Sequence, residues 1–392
     1  MTSSTLILGG GFGGLACARR LRQLLPEGSE IVVVDRSRSF HVGAGKTWVM
    51  LGQRESERIS RRREELLPTG VRLVEAAVER IDAGRGEVRT SGGPLRCDYL
   101  VVALGADLNL AAVPGLAGAA ETFYTLPGAE RLHALLPAFA GGDVVVLIPR
   151  TPFKCPPAPY EAAMLLHHAF QQRGMRSRTR LAVYTVEPSP MPTAGPEMGR
   201  LICDELARRE IAYYPLRKTI GVDGARRRIT FEDGGEVAYD LLIVVPPHEA
   251  PAVVREAGLT GESGWVPVDP LTLRATLVGS GTPVWAIGDV ATVALPGRWK
   301  PEVPLVLPKA GVFAATQGEV VAAQIAAAVR GEPTTSVFDG KGFCYLETGD
   351  AMAMRGDGSF FERPHPVMQP GAIDSASFQG KLAWVDGWLG LS

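Results

Sequence analysis

The sequence predicts an α/β fold with two parallel-sheet units, and three observations carry that prediction. Thr5 to Leu8 is an apolar strand that runs directly into Gly9-Gly10-Gly11-Phe12-Gly13-Gly14, a GxGxxG turn opening a helix to about Leu25. A second strand, Ile31 to Val34, ends at Asp35, 21 residues past Gly14. Much later, Val144 to Ile148 is a β-branched run followed by a loop and by helical spacing over Tyr160 to Gln172, the layout of another βαβ crossover. Together these lay out two Rossmann-like dinucleotide-binding units, one opening the chain at residues 1–115 and a second over residues 116–267.

Composition bounds the function. A chain of 392 residues with 46 glycines and 30 prolines suits two or three domains with many tight loops. A net charge of −1 argues against nucleic acid as a main partner. The five cysteines, Cys17, Cys97, Cys155, Cys203 and Cys344, are too scattered for a disulfide framework. Neither they nor the six histidines show metal-ligand spacing, so no metal site is expected. The first residues enter a strand without a basic region or a cleavage-site pattern, so a cytoplasmic location is expected. No apolar run reaches the ~20 residues of a membrane-spanning helix.

In the first unit, glycine serves the tight turn and the close approach of a pyrophosphate to a helix N-terminus. Gly9, Gly11, Phe12, Gly13 and Gly14 are therefore candidate cofactor residues, with Asp35 placed for a ribose diol. Cys17, one turn into the helix, is read as packing. Between Arg54 and Leu66, arginines and glutamates interleave as on a solvated helix with i,i+4 pairs. Val71 to Ile81, Glu87 to Thr90 and Leu95 to Arg96 read as a small antiparallel flap, and Asp98 to Leu104 returns to the main sheet, ending in Gly105.

The second unit departs from the pattern in its first loop. Pro149, Arg150, Thr151, Pro152, Phe153 and Lys154 stand where glycines would admit a pyrophosphate, so a nicotinamide dinucleotide would fit poorly. The loop instead offers Cys155, stiffened by Pro156, Pro157 and Pro159, with Glu161 six residues on. A thiol so placed, with a lysine before it and a carboxylate behind it, suggests redox chemistry. A small buried cysteine in a turn is the competing reading. Leu181 to Val186, ending in Glu187, a helix from Gly199 to Arg209, and strands near 211–214, 228–231 and 241–245 complete the unit.

GxGxxG, then YLVVALGA followed by Pro114-Gly115, and then VWAIGDVA at 284–291 resemble the three FAD-binding signatures of the two-dinucleotide-binding-domain flavoproteins. The resemblance implies one FAD-binding domain made of 1–115 with 268–330, a small C-terminal region at 331–392, and FAD held by Gly105, Gly288 and Asp289 as well as by the first turn, Asp289 taking the ribityl chain. The segment KCPPAPYE narrows it to the sulfide:quinone oxidoreductases and the flavoprotein of flavocytochrome c sulfide dehydrogenase. In that group the loop Cys and the Glu six residues later match Cys155 and Glu161, and GFCYLETGD supplies Cys344 as a second redox cysteine. Lys309, before a helix aimed at the flavin pyrimidine, would stabilise charge on reduced flavin. A surface lysine is its other reading, and a carboxylate balancing a helix dipole is that of Glu161.

Three departures stand out. The stretch 122–130 lacks a third redox cysteine, 41–48 lacks the flavin-attaching cysteine, so FAD should be noncovalent, and 188–196 lacks the family's active-site histidine. The resemblance implies that sulfide, or a small thiol, attacks a Cys155–Cys344 disulfide, with Glu161 as base or proton carrier and a quinone as final acceptor. Relay to a cytochrome partner and NADH:quinone oxidoreduction are the alternatives. The tail 378–391 places Phe378, Leu382, Val385 and Leu389 on one stripe beside Trp384 and Trp388, broken by Gly380, Gly387 and Gly390. Contact with the cytoplasmic face of a membrane, and packing on the body or on a second subunit of a homo-oligomer, remain open for it.

Overall fold

The computed structural model describes residues 3–391. Strand β1 (Ser4–Leu8) passes through the glycine turn into helix α1 (Phe12–Leu24). It pairs in parallel with β2 (Glu30–Asp35), which in turn pairs with β3 (Val71–Glu75) beyond a short helix, α2 (Lys46–Met50). On its other side it pairs with β4 (Tyr99–Val102). Leu6 to Leu8, Val32 to Val34 and Leu100 to Val102 are all buried, as strands covered on both faces require.

After helix α3 (Leu126–Leu135) the second sheet begins with β5 (Gly142–Ile148), followed by α4 (Ala158–Gln172), β6 (Thr179–Thr185), α5 (Pro196–Arg208), β7 (Ala212–Tyr214) and β8 (Leu241–Val244). Its order is β7-β6-β5-β8, all parallel. The chain then returns to the first sheet as β9 (Val284–Ala286), giving the order β9-β4-β1-β2-β3. Helix α6 (Gly311–Arg330) packs on α1 so closely that a Cβ on Gly318 would lie 2.3 Å from the Gly13 carbonyl oxygen. A three-stranded antiparallel sheet, β10 (Lys341–Gly349), β11 (Met352–Ser359) and β12 (Val367–Asp374), leads into the last helix, α7 (Ser375–Trp388).

Four local expectations are corrected. Residues 54–66 are not one solvated helix: Ser60–Arg62 pairs with Ser39–His41, and Arg63 is buried. Its guanidinium reaches the carbonyls of Gly10, Ser37 and Ser39 and the Asp35 carboxylate. Residues 71–81 are two strands, since β3 joins the parallel sheet and Val78–Asp82 starts the flap. Helix α6, at 20 residues, is long and apolar enough to cross a bilayer, yet Phe313, Val321, Ala322 and Ile325 are buried in the protein core. The tail glycines do not break α7, which is capped by the Asp374 carboxylate on Ser377 N. Gly380 lets that helix close on β10, because a Cβ there would lie 2.7 Å from the Tyr345 hydroxyl.

Candidate active site

The loops after β1, β4, β5, β6 and β9 all leave the carboxyl ends of parallel strands, where open α/β sheets bind ligands. They enclose a cavity of about 630 Å³. Gly11, Phe12, Gly13, Gly105, Gly288, Asp289 and Lys309 line it together with Cys155, Glu161 and Cys344. The glycine turn fits a dinucleotide. Gly9 has φ +102°, and a Cβ on Gly14 would lie 1.9 Å from the Gly9 carbonyl oxygen, so turn and helix close tightly. A Cβ on Gly11 would meet nothing within 4 Å, so the backbone there is open to an incoming group. Helix α1 has no side-chain cap, which leaves its first amides for an anion.

Several candidates hold the frame rather than face the cavity. Gly9, Gly14 and Asp35 lie off its wall. Asp35 accepts from Gly10 N at 2.8 Å and Ser37 N at 3.0 Å and pairs with Arg63 at 3.2 Å, so it braces the turn. Gly288, at φ +71°, gives its N–H to Gln317. Lys309 is buried, not a surface lysine: its ammonium donates to the Asp289 and Ala291 carbonyls at 2.5 and 3.0 Å, over the Trp265 ring. Burial pulls it down to about 8. The uncapped first turn of α6, Gly311 to Ala314, lines the cavity beside it.

The KCPPAPYE loop is pinned at Cys155, whose N–H donates to the Lys309 carbonyl at 2.8 Å and whose carbonyl accepts from Ala158 N. Cys155 has φ +57°, a conformation that costs a non-glycine residue about 1–3 kcal/mol and persists only where bonding of this kind fixes it. Cys344, on β10, opens on the same cavity, and both thiols are free. Burial pushes each thiol up to about 12; for Cys344 the next cause is Cys155, for Cys155 it is Glu161. Both thiols therefore stay protonated at neutral pH.

Glu161 is fully inside, on the first turn of α4. It accepts from Lys381 Nζ at 2.8 Å, Glu347 N at 3.0 Å and Thr47 Oγ1 at 3.3 Å. Lys381 also donates to Glu347 at 2.7 Å, and Trp48 Nε1 donates to the same Glu347 oxygen at 2.8 Å. One ammonium thus serves two buried carboxylates, and the cluster carries one negative charge in excess unless it holds a proton. Burial raises Glu161 despite Lys381, which gives that proton its place. Burial works against Lys381, but the two carboxylates outweigh it and its charge is kept. This cluster is a structural alternative to a surface carboxylate that merely balances a helix dipole.

Glu347, Lys381 and Arg63 were not anticipated. A signal existed for Lys381, which sits with Val385 and Leu389 at i, i+4 and i+8 on a stripe that is buried throughout. A lysine on such a stripe calls for buried counter-charges. The open question about the tail is answered in part by the same helix: Phe12 meets Phe40, Trp384 and Trp388 at ring distances of 5.2, 5.5 and 4.8 Å, so α7 packs on the body.

Comparison with known proteins agrees with this arrangement. The family model "pyridine nucleotide-disulphide oxidoreductase" matches residues 3–147, and "sulfide dehydrogenase (flavocytochrome c) flavoprotein chain, central" matches residues 129–246. The sulfide-quinone reductase of Aquifex aeolicus is 28% identical over 389 residues, 94% of this chain and 85% of that protein. The mitochondrial sulfide:quinone oxidoreductase of Mus musculus is 25% identical over 365 residues, 88% of this chain and 75% of that one. The solved structure of the Aquifex aeolicus sulfide:quinone oxidoreductase superposes with a TM-score of 0.86, at 22% identity, over 99% of this chain and 91% of the other. With both parallel units, the glycine turn and the altered second loop in place, the chain is similar over most of its length to two-dinucleotide-binding-domain flavoproteins of the sulfide:quinone oxidoreductase and flavocytochrome c sulfide dehydrogenase group.

Proposed function

We propose that the chain oxidises sulfide, or a related small thiol or persulfide, through Cys155 and Cys344 to FAD, and that the electrons pass on to a quinone. The observation that carries this reading is that both cysteines and Glu161 share one cavity with the glycine turn and with the loops at Gly105 and Gly288. FAD, when bound, supplies the two-electron acceptor. The chain's part is to hold two sulfurs at the cavity wall, exclude water with an apolar lining, and keep a proton at Glu161. Sulfide attacks one sulfur of the oxidised pair, a new S–S bond forms, and the other sulfur leaves as a thiolate with the electron pair. Glu161 is the proton carrier and Lys309 a positioning residue, which ties the Cys155 loop to the segment carrying Asp289.

Cys155 and Cys344 are the cysteines on the cavity wall, and both are assigned to the relay, which supports a noncovalent FAD. A quinone is favoured by an apolar route: Val312, Phe343 and Trp384 border both the main cavity and a neighbouring surface cleft. A membrane-dissolved acceptor implies peripheral contact with a membrane, at the cytoplasmic face on this reading. Oxidation of NADH is disfavoured because Pro152 and Phe153 fill the second loop. Glu187, at the strand end where a dinucleotide ribose would be bound, is also already taken by the Tyr160 hydroxyl at 2.6 Å. The flavocytochrome match favours relay to a cytochrome as the second reading.

An anaerobic titration followed at the flavin bands tests the proposal. Bleaching by sulfide, lost in Cys155→Ser and Cys344→Ser, is the expected result; bleaching by NADH alone would refute it. Turnover of the isolated chain with a soluble quinone analogue separates quinone reduction from relay to a cytochrome.

A further inference from the structure

The relay as described brings protons only from the Glu161 side. Next to that cluster, three successive residues of α2 each reach into the site. Lys46 Nζ donates to the Tyr124 carbonyl at 2.7 Å, Thr47 Oγ1 to Glu161, and Trp48 Nε1 to Glu347. Lys46 lines the cavity with Lys154, Cys155 and Tyr124. It has no ion-pair partner among the described residues, and of the three donors of an ammonium only one is taken. The Tyr124 hydroxyl, on the residue whose carbonyl Lys46 meets, is buried without a hydrogen-bond partner. An uncompensated cation with free donors on the wall that also carries Cys155 is a binding position for a small anion.

We propose that Lys46 is a catalytic residue that binds the incoming sulfide next to Cys155 and exchanges a proton with it, an inference that rests on the thiol-relay reading above. Hydrogen sulfide gives a proton to the Lys46 amine, and the hydrosulfide anion so formed is held by the ammonium while it attacks the Cys155–Cys344 bond. One S–S bond forms and one breaks. The persulfide keeps the hydrogen of the hydrosulfide, the electron pair leaves on the other sulfur, and Lys46 keeps the proton taken from hydrogen sulfide. Burial, with Lys154 as the next cause, pulls Lys46 down to about 7, so the amine is available at neutral pH. No histidine stands after β6 to do this work.

The groups facing Lys46 are Lys154 and Cys155 from the loop after β5, Tyr124 before α3, His41 on the segment leading into α2, and His248 near the Tyr124 ring. Burial drives His248 down to about 3 and also lowers His41, so neither competes for the proton at neutral pH. Glu130 and His133 of α3 are engaged with Ser56 and against Gly52, past the C-terminal end of α2. Glu161 touches the segment through Thr47 and is held by Lys381.

The test is stopped-flow reduction of the flavin-loaded protein by sulfide between about pH 5.5 and 9.5 in wild type, Lys46→Met and Lys46→Arg, with thiocyanate binding to the oxidised holoenzyme as a second readout. Wild type should give a bell-shaped profile with its maximum near pH 7, because the productive state holds one proton between amine and sulfide. Lys46→Met should be at least about tenfold slower at that maximum, rise steadily with pH, and lose thiocyanate affinity. Lys46→Arg should keep thiocyanate affinity but lose the alkaline fall, since guanidinium does not titrate there. A Lys46→Met profile of wild-type shape, or unchanged thiocyanate affinity, overturns the assignment of Lys46 while leaving the relay intact. Wild-type flavin that sulfide does not bleach overturns the relay itself, and the thiocyanate arm then still decides whether Lys46 binds an anion. Flavin content and spectrum matching wild type show that the variants are folded.

Discussion

Removing Lys381 should destabilise the fold in a manner that depends on pH. Its side chain is 2% exposed, with Nζ 2.8 Å from Glu161 and 2.7 Å from Glu347. At an effective dielectric of about 20, each contact is worth about 6 kcal/mol of attraction, set against desolvation of several kcal/mol per ion. Lys381→Met keeps most of the volume, so the loss is electrostatic: two buried carboxylates remain without a cation, which costs about 3–5 kcal/mol at pH 8. The sign against pH follows from Glu161, already raised above its ordinary 4.5 by burial and raised further without the ammonium. A carboxyl whose folded value is raised favours the fold in its neutral form. That advantage is present below 4.5 and is lost as pH climbs through the folded value. The difference between variant and wild type should therefore be smaller at pH 5 than at pH 8. Urea unfolding of the flavin-loaded protein at both values reads it. Adding Glu161→Gln and Glu347→Gln should return most of the stability by removing the stranded charges. Equal losses at pH 5 and 8, or a loss below about 1 kcal/mol at pH 8, would refute the reasoning.

Other outcomes follow from the same geometry. In the reduced protein, iodoacetamide should alkylate Cys155 and Cys344 at pH 8 about a thousandfold more slowly than an exposed cysteine, because both thiols are pushed up to about 12 against an ordinary value near 8.5. Peptide mapping over a pH series checks this. Gly14→Ala, with its methyl 1.9 Å from the Gly9 carbonyl oxygen, should open the turn and lower the flavin-to-protein ratio after purification by at least about tenfold. Arg63→Met should cost about 3 kcal/mol or more in thermal or urea unfolding, since the buried Arg63 serves three carbonyls and Asp35. Arg62→Met, at a side chain 61% exposed, should stay within about 0.5 kcal/mol.

Much of the frame was legible because its signals are local. A strand ending in Gly9, a helix opening at Phe12, and a second strand ending at Asp35 follow from residues within 35 positions, and backbone sterics alone make glycine necessary at Gly9 and Gly14. The proline loop at Cys155 could be read in the same way, since missing glycines change what a turn can admit. Charge composition alone misled at Arg63: a run of arginines and glutamates looks alike whether it is solvated or whether one member turns inward to bind carbonyls. The tail stripe was seen, but its glycines were taken as breaks because their contacts lie elsewhere, as with Gly380 against Tyr345.

What only the tertiary structure decided is which distant charges meet. Glu161, Glu347 and Lys381 lie up to 220 positions apart and come within 3 Å because α4 and α7 both pack on β10. Lys309, expected beside the flavin with a surface position as its other reading, proved to be buried and to brace two carbonyls, and Lys46 went from an unremarked helix start to a cavity wall. Local sequence sets backbone conformation through sterics within a few residues. Burial and electrostatic partners arise when elements dock, so the ionisation of the site belongs to the fold.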